Sequence, residues 1–258
     1  MNFLRKLYPL SFREYLFYNH VLPRINVSAY DFSCASLVFS PQVKLRLLSS
    51  DVMHQCIGAT GFYELGLTRT IAGLAKKGGL LVDAGANIGY YSCLWLGINP
   101  RSHVIAFEPN PRCITYLEQN LNSNGFSSRA DMQSKALGNE SKEALFDIGP
   151  QEQLGWGGLS SGERLGAIKI SLMKLDDFMQ GQDVDIEVLK IDTEGSDALV
   201  LFGAKGLLEA KKIYHLFFEI NRERMELLGI EKNEPFRFLK NCGYIVKHLT
   251  NDIWHATY

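Results

Sequence analysis

From residue 80 onward, short apolar runs recur along the chain, and each stops at an acidic residue. Leu80-Leu81-Val82 stops at Asp83, residues 104–107 at Glu108, residues 186–191 at Asp192, and residues 213–218 at Glu219. Runs of this length without strict alternation suit strands buried on both faces of a parallel sheet. Helical patterns lie between them. The clearest covers residues 111–124, where Asn110 can cap, Pro111 suits the first turn and Gly125 can end the helix. Upstream, Val43, Leu45 and Leu47 alternate with Lys44 and Arg46, the signature of a half-buried strand. Gly58 and Gly61 predict a loop, and a helix follows over residues 64–77, with Leu67, Ile71, Leu74 and Ala75 on one face. The end of the chain reads differently: a helix over 234–241, then strands over 244–249 and 253–258. The connection between those strands is too short for a crossover, so they must run antiparallel. The alternation of strands and helices predicts an α/β fold with an open, doubly wound sheet.

Composition narrows this picture. The 258 residues are 46% hydrophobic and 21% charged, which fits one large globular domain able to bury its own core. The formal net charge of −1 gives no electrostatic case for a nucleic-acid partner. Five cysteines without C-x-x-C spacing argue against a disulfide framework or zinc site and lead us to expect a reducing, cytoplasmic setting. The sequons at Asn26 and Asn139 then read as chance matches. No apolar run approaches the ~20 residues of a transmembrane helix. Residues 1–24 mix an aromatic stripe from Phe3 to Phe17 with Arg5, Lys6, Arg13 and Arg24. This pattern predicts a helical arm whose stripe is buried against the body; the alternative is peripheral contact with a membrane surface.

In an open α/β sheet, ligands bind beyond the carboxyl ends of the strands, so the four terminal acids should line one crevice. The sharpest segment within it is Asp83-Ala84-Gly85-Ala86-Asn87-Ile88-Gly89-Tyr90-Tyr91, which follows a strand and opens a helix. Gly85 permits a tight turn and Gly89 a close approach of backbone. A nicotinamide fingerprint would place glycine where this chain has Asn87, and a pyrophosphate needs bare amides at a helix N-terminus. Glu108, about 20 residues on, stands where a carboxylate accepts both ribose hydroxyls of an adenosine.

With Ala106-Phe107-Glu108-Pro109-Asn110-Pro111, Ala136-Leu137-Gly138, Lys190-Ile191-Asp192-Thr193-Glu194-Gly195 and the upstream Gly61-Phe62-Tyr63-Glu64, the chain resembles the FkbM family of class I S-adenosylmethionine-dependent methyltransferases over residues 43–258. The resemblance implies a Rossmann-like sheet of seven strands ending in the antiparallel hairpin, with residues 1–42 as a helical arm or cap. It implies an O-methyltransferase acting on a small-molecule or glycan hydroxyl. S-adenosylmethionine would be held by Glu64, Asp83, Gly85, Asn87, Gly89, Tyr90, Glu108, Asn110, Ala136, Leu137 and Asp192. Family members often carry histidine two residues after the acid of the fifth strand; here the residue is Asn221.

An acceptor hydroxyl must lose its proton, so a base or a divalent cation is expected. Asp192, Glu194 and Glu219 are the candidate catalytic groups, and His54, Tyr63, Trp156 and Asn221 the candidate acceptor contacts. Mg²⁺ is not favoured, because no His or second Asp completes a ligand set. The structural alternative is that Glu194 caps the next helix and Glu219 pairs with Arg222 or Arg224. Residues 149–162 read as a flexible wall near the cofactor. Their Gly158-Leu159-Ser160-Ser161-Gly162 matches a hydrolase nucleophile elbow but lacks the preceding strand that the elbow needs. The rival functions are a nicotinamide-dependent oxidoreductase and a non-catalytic S-adenosylmethionine-binding module.

Overall fold

The computed structural model describes residues 8–24, 32–150, 153–160 and 166–258. The early part of the aromatic stripe (Phe3, Leu4, Leu7), the Asn26 sequon and the last two residues of the elbow match lie outside them. The strands, in chain order, are β1 Cys34–Ser36, β2 Lys44–Arg46, β3 Gly79–Ala84, β4 Ser102–Phe107, β5 Ala130–Gln133, β6 Ala136–Leu137, β7 Lys142–Asp147, β8 Gly158–Leu159, β9 Ile168–Met173, β10 Ile186–Ile191, β11 Ile213–Glu219, β12 Ile245–Thr250 and β13 Ile253–Thr257. The helices are α1 Leu10–Leu16, α2 Val52–Thr60, α3 Leu65–Ala75, α4 Tyr90–Ile98, α5 Pro111–Ser123, α6 Leu175–Met179, α7 Asp197–Phe202, α8 Lys205–Glu209, α9 Arg222–Leu227 and α10 Glu234–Asn241.

The main sheet has seven strands in the order β12-β13-β11-β10-β3-β4-β5. The pairings from β11 to β5 are parallel, and β13 runs antiparallel to both β11 and β12. This is the seven-stranded sheet that the resemblance implies, with the predicted terminal hairpin as its antiparallel edge. The apolar runs are continuous because alternate residues feed two separate cores. On one face, Leu81, Val104, Ala106 and Phe217 meet α3, α4 and α5; on the other, Val82, Ile105, Leu189 and Phe218 meet α6, α7, α8 and α10. Strand order turns at β3, whose neighbours β4 and β10 lead the chain in opposite directions across the sheet. A crevice forms at such a switch point.

Three features depart from the sequence pattern. Gly58 lies inside α2, and Gly61 is its left-handed C-cap (φ 87°), so the predicted loop is a helix and its ordinary end. A four-stranded sheet, β6-β9-β7-β8, is inserted between β5 and β10. Its β8 carries Gly158 and Leu159 in an antiparallel ladder with Phe146 and Asp147, which removes the strand-to-helix turn a nucleophile elbow requires. In the arm, α1 continues into a π-turn over Phe17–Val21. Of its aromatic stripe, Phe17 is fully buried, against Cys56 and Ala59, whereas Phe12 and Tyr15 are exposed. Among the described residues the arm thus docks through Phe17, with Tyr8, Leu16, Val21 and Leu22 packed beside it, while Phe12 and Tyr15 stay outside. Among the described residues, no helix is long and apolar enough to cross a membrane.

Strands β1 and β2 pair with each other across residue 42. Val43, Leu45 and Leu47 point into the core as the alternation predicts. The outer edge of β2 is closed by side-chain amides of α5 in place of a third strand. Asn120 Oδ1 accepts from Arg46 N (2.6 Å) and its Nδ2 donates to Ile88 O (2.8 Å); Asn124 does the same for Lys44 N (2.9 Å) and Lys44 O (2.7 Å). Asn120 is fully buried and Asn124 is not, so water can replace the second amide but not the first. Asn120→Ala is expected to cost about 1–3 kcal/mol, a fall in Tm of several degrees, and Asn124→Ala clearly less. Equal shifts in thermal melts of the two variants would refute this account of the edge.

Candidate active site

A cavity of about 590 Å³ lies over the carboxyl ends of β3, β4, β10 and β11, within the size range of small-molecule sites. Its floor is the turn after β3. Gly85 sits at φ 76°, and a Cβ there would lie 1.9 Å from the Asp192 carbonyl oxygen, so only glycine lets β3 and β10 close up. The amides of this turn are already engaged: Gly85 N and Ala86 N donate to Phe107 O (both 3.0 Å), Gly89 N to Ala86 O (2.8 Å), and Asn87 N to Glu108 Oε2 (2.8 Å). Glu108 Oε1 accepts from Asn110 N (2.8 Å). Both oxygens of this buried carboxylate are thereby oriented, each with a lone pair left for a ligand. Burial pushes its pKa up to about 7, against the pull of the two amides.

Beneath the floor, Lys190 is buried in β10, directly opposite Asp83 in the β10–β3 register. Its ammonium stands 3.2 Å from Asp192 Oδ2 and 3.5 Å from Asp83 Oδ1, donates to Gly85 O (3.1 Å) and lies over the Tyr91 ring. Burial disfavours its charge, but Asp192, Asp83 and Glu64 outweigh that and hold it firmly protonated. Asp83 Oδ2 also accepts from Ser92 Oγ (2.7 Å).

The far wall is acidic. Glu64 accepts from Tyr91 Oη (2.8 Å), and burial next to Asp192 pushes it up to about 7. Burial and Asp192 likewise push Glu194 and Glu219 up to about 8. Neither of these two carboxyls has a hydrogen-bond or ion-pair partner among the described residues. No side chain caps α7; its first residue, buried Asp197, instead accepts from Thr193 N (2.9 Å) and Thr193 Oγ1 (2.7 Å) and, through its other oxygen, from Glu219 N (2.8 Å). The structural alternative for Glu194 and Glu219 therefore fails. Glu64, Asn87 and Glu194 all hold left-handed backbone (φ 45°, 51° and 52°), and all three line the cavity. Non-glycine residues in that region are strained, and such strain gathers at functional sites.

A strap crosses the opening. The turn Leu154–Trp156 is held by Leu154 N donating to Asp51 Oδ2 (2.7 Å), by Asn110 Nδ2 donating to Leu154 O (3.2 Å), and by Arg224 donating to Trp156 O (3.2 Å).

Most of the predicted site residues meet in this cavity: Tyr63, Glu64, Gly85, Asn87, Tyr90, Glu108, Asn110, Ala136, Leu137, Trp156, Asp192, Glu194, Glu219 and Asn221 all line it. Three do not. His54 is fully buried, its Nδ1 accepting from Leu48 N (2.8 Å), and it cannot reach an acceptor. Asp83 lies behind the floor as the partner of Lys190. Gly89 serves helix packing, since a Cβ there would come within 2.6 Å of the Leu117 side chain. Two others have narrower roles than predicted. The Asn110 side chain is taken up by the strap and by capping α5, and Asn221 Oδ1 caps α9 by accepting from Arg224 N (3.2 Å). Sequence reasoning missed Lys190 and Asp197 as site residues, although a lysine among apolar residues at the end of a buried strand is itself a signal that it must be paired. Asp51, Tyr18 and Met53 carry no such signal.

Lys190→Met should leave Asp83 buried without a counter-charge and destabilise the fold by about 3–5 kcal/mol. Adding Asp83→Asn should recover a large part of the loss. Denaturant melts of the single and double variants test this, and additive losses would show that the two groups do not depend on each other.

Residues 83–246 match the family model described as the methyltransferase FkbM domain. The chain is 29% identical over 156 residues to the methyltransferase sdnD of Sordaria araneosa, an alignment covering 48% of this chain and 59% of that protein. Among solved structures, it is similar to a methyltransferase FkbM from Methylobacillus flagellatus (19% identity, TM-score 0.49, covering 70% of this chain and 44% of that one). It is also similar to a putative caffeoyl-CoA O-methyltransferase from Staphylococcus aureus (14% identity, TM-score 0.46, covering 74% and 79%). The chain thus spans less than two thirds of the sdnD protein and of the solved FkbM chain. With the family model covering well over half of its residues, the chain belongs to the FkbM methyltransferase family.

Proposed function

We propose that this protein transfers the methyl group of S-adenosylmethionine to a hydroxyl of a small molecule or glycan. The observation that carries this reading is the polarity of the cavity. One end presents the oriented Glu108 carboxylate beside apolar Phe107, Ala136 and Leu137, and the other presents carboxyls with, among the described residues, only Lys190 and Arg224 as counter-charges. An adenosine fits the first end and a cationic sulfonium the second. Asn87 Oδ1, buried at the cavity with no partner among the described residues, is left for a donor on the ligand. A nicotinamide dinucleotide fits poorly, because Asn87 stands where its fingerprint has glycine and the amides of Gly85, Ala86 and Asn87 already donate to Phe107 O and Glu108.

When bound, S-adenosylmethionine supplies an electrophilic methyl group. In this reading Glu108 accepts both ribose hydroxyls. Asp192, fixed by Lys190, and Glu64, fixed by Tyr91, place negative charge where the sulfonium would lie. Tyr63, Trp156, the Nδ2 of Asn221 and Tyr18 of the arm surround the acceptor. Glu219 accepts the acceptor's proton, because it faces the cavity without a partner of its own. The arm becomes part of the wall, since Glu14 accepts from Leu65 N (3.2 Å) and so caps α3 just beyond Glu64.

Titration calorimetry should detect S-adenosylmethionine and S-adenosylhomocysteine but neither NAD nor NADP; preferential binding of NAD would overturn the reading. Glu108→Ala should weaken cofactor binding by about 1.5–3 kcal/mol for each hydrogen bond from a ribose hydroxyl that it removes. Once a mass-spectrometric screen of sugars, polyketides and peptides has identified an acceptor, Glu219→Gln should lower kcat about 10²-fold while leaving S-adenosylhomocysteine affinity near the parent value. A kcat within a few-fold of the parent would remove Glu219 from proton transfer.

A further inference from the structure

The acidic wall divides into carboxyls that are tied and carboxyls that are not. Asp192 is held by Lys190, Glu64 by Tyr91, Glu108 by two amides, and Asp197 by Thr193 and the Glu219 amide. Glu194 and Glu219 are the untied pair. They stand on adjacent loops, after β10 and at the end of β11, and both face the cavity. The charged and titratable groups around them come from every neighbouring element: Tyr63 and Glu64 ahead of α3, Tyr91 of α4, Lys190 and Asp192 of β10, Asp197 of α7, Glu223 and Arg224 of α9, and Tyr18 of the arm. Lys190 is bound to Asp83 and Asp192 and Arg224 to the Trp156 carbonyl; both still favour an ionised Glu194, but burial and Asp192 outweigh them. Two unpaired carboxyls among this many acids cannot both ionise cheaply in an empty cavity.

We propose that Glu194 and Glu219 act as a charge-responsive pair: they hold a proton in the empty cavity, release it when the cationic sulfonium binds, and take one back from the acceptor hydroxyl as the methyl group leaves. This rests on the methyltransferase reading and adds to it the order in which the proton moves. The upward displacement of both carboxyls keeps the pair largely protonated at pH 7. A positive charge nearby favours the ionised form and expels the proton. In the transfer, the acceptor oxygen forms its new bond to the methyl carbon, the sulfur–methyl bond breaks with its electron pair left on sulfur, and the hydroxyl proton passes to the waiting carboxylate. Hydroxyl plus sulfonium thus becomes methyl ether plus neutral thioether, and the one net proton reaches solvent when the next sulfonium binds. The cofactor itself arms the base, and an acceptor meets an ionised carboxylate only when a methyl donor is present.

The test is a proton inventory by calorimetry on the full chain at pH 7, in buffers of different ionisation enthalpy. S-adenosylmethionine should release about one proton on binding, and S-adenosylhomocysteine close to none. Their affinity ratio should rise up to about tenfold per pH unit below the pKa of the pair. In the Glu194→Gln/Glu219→Gln variant the release should vanish; comparing one ligand between parent and variant cancels the ligand's own titration. Equal proton counts for the two ligands, or undiminished release from the double variant, would overturn the inference and leave the methyltransferase reading standing. If neither ligand binds the parent, the methyltransferase reading falls and takes this inference with it. Should the double variant fail to fold by circular dichroism, the difference between the two ligands on the parent protein decides the matter alone.

Discussion

The buried ammonium of Lys190 is the constraint around which the site is built. Strands β3 and β10 meet at the switch in strand order, where β3 buries Asp83 in low dielectric and Asp192, just after β10, stands partly exposed at the cavity. Left alone, the two charges would repel and Asp83 would have lost its hydration without compensation. One cation between them satisfies both, and its bond to Gly85 O fixes the turn that forms the cavity floor. The same register that pairs Lys190 with Asp83 brings the Asp192 carbonyl against Gly85. Electrostatics and sterics therefore demand the same alignment of the two strands.

From that anchor the site is extended by carboxylates that hold backbone rather than ligand. Asp197 ties the loop after β10 to the end of β11, so Glu194 and Glu219 are placed relative to each other by a residue that does not itself reach the cavity. Asp51, at the start of α2, does the equivalent for the strap at Leu154, 103 residues along the chain. Such bonds to a charged acceptor are stronger than neutral ones. Beside them, Glu64, Asn87 and Glu194 hold left-handed backbone and all three line the cavity.

The result is a cavity whose two ends differ in kind. The end at Glu108 combines an oriented carboxylate with apolar walls, and the other end concentrates negative charge beyond the cations that line it among the described residues. Under the proposed reading, in which a positive charge enters and a neutral product leaves, that imbalance would favour the substrate form of the cofactor, and the raised proton affinity of Glu194 and Glu219 would match the general base catalysis proposed for them.

Much of this was legible in the amino-acid order. Continuous apolar runs ending at Asp83, Glu108, Asp192 and Glu219 define the parallel strands and their functional ends, because a strand covered on both faces needs no polar alternation and its carboxyl end opens at the crevice. The short connection at residues 250–252 forces the terminal antiparallel pair. Chain geometry and local chemistry suffice for such features. What only the tertiary structure decided are relations between distant residues. His54 stands just ahead of a stretch that reads as a loop in the sequence, yet it is fully buried and bonded to the Leu48 amide. Asp83 looks like a ligand contact, yet the register turns it behind the floor toward Lys190. The β6–β9 insert, the strap on Asp51 and the untied state of Glu194 and Glu219 depend on which partner reaches each group first. Local pattern does not encode that competition, since every acid on the wall has the same hydrogen-bonding capacity and differs only in what the fold brings beside it.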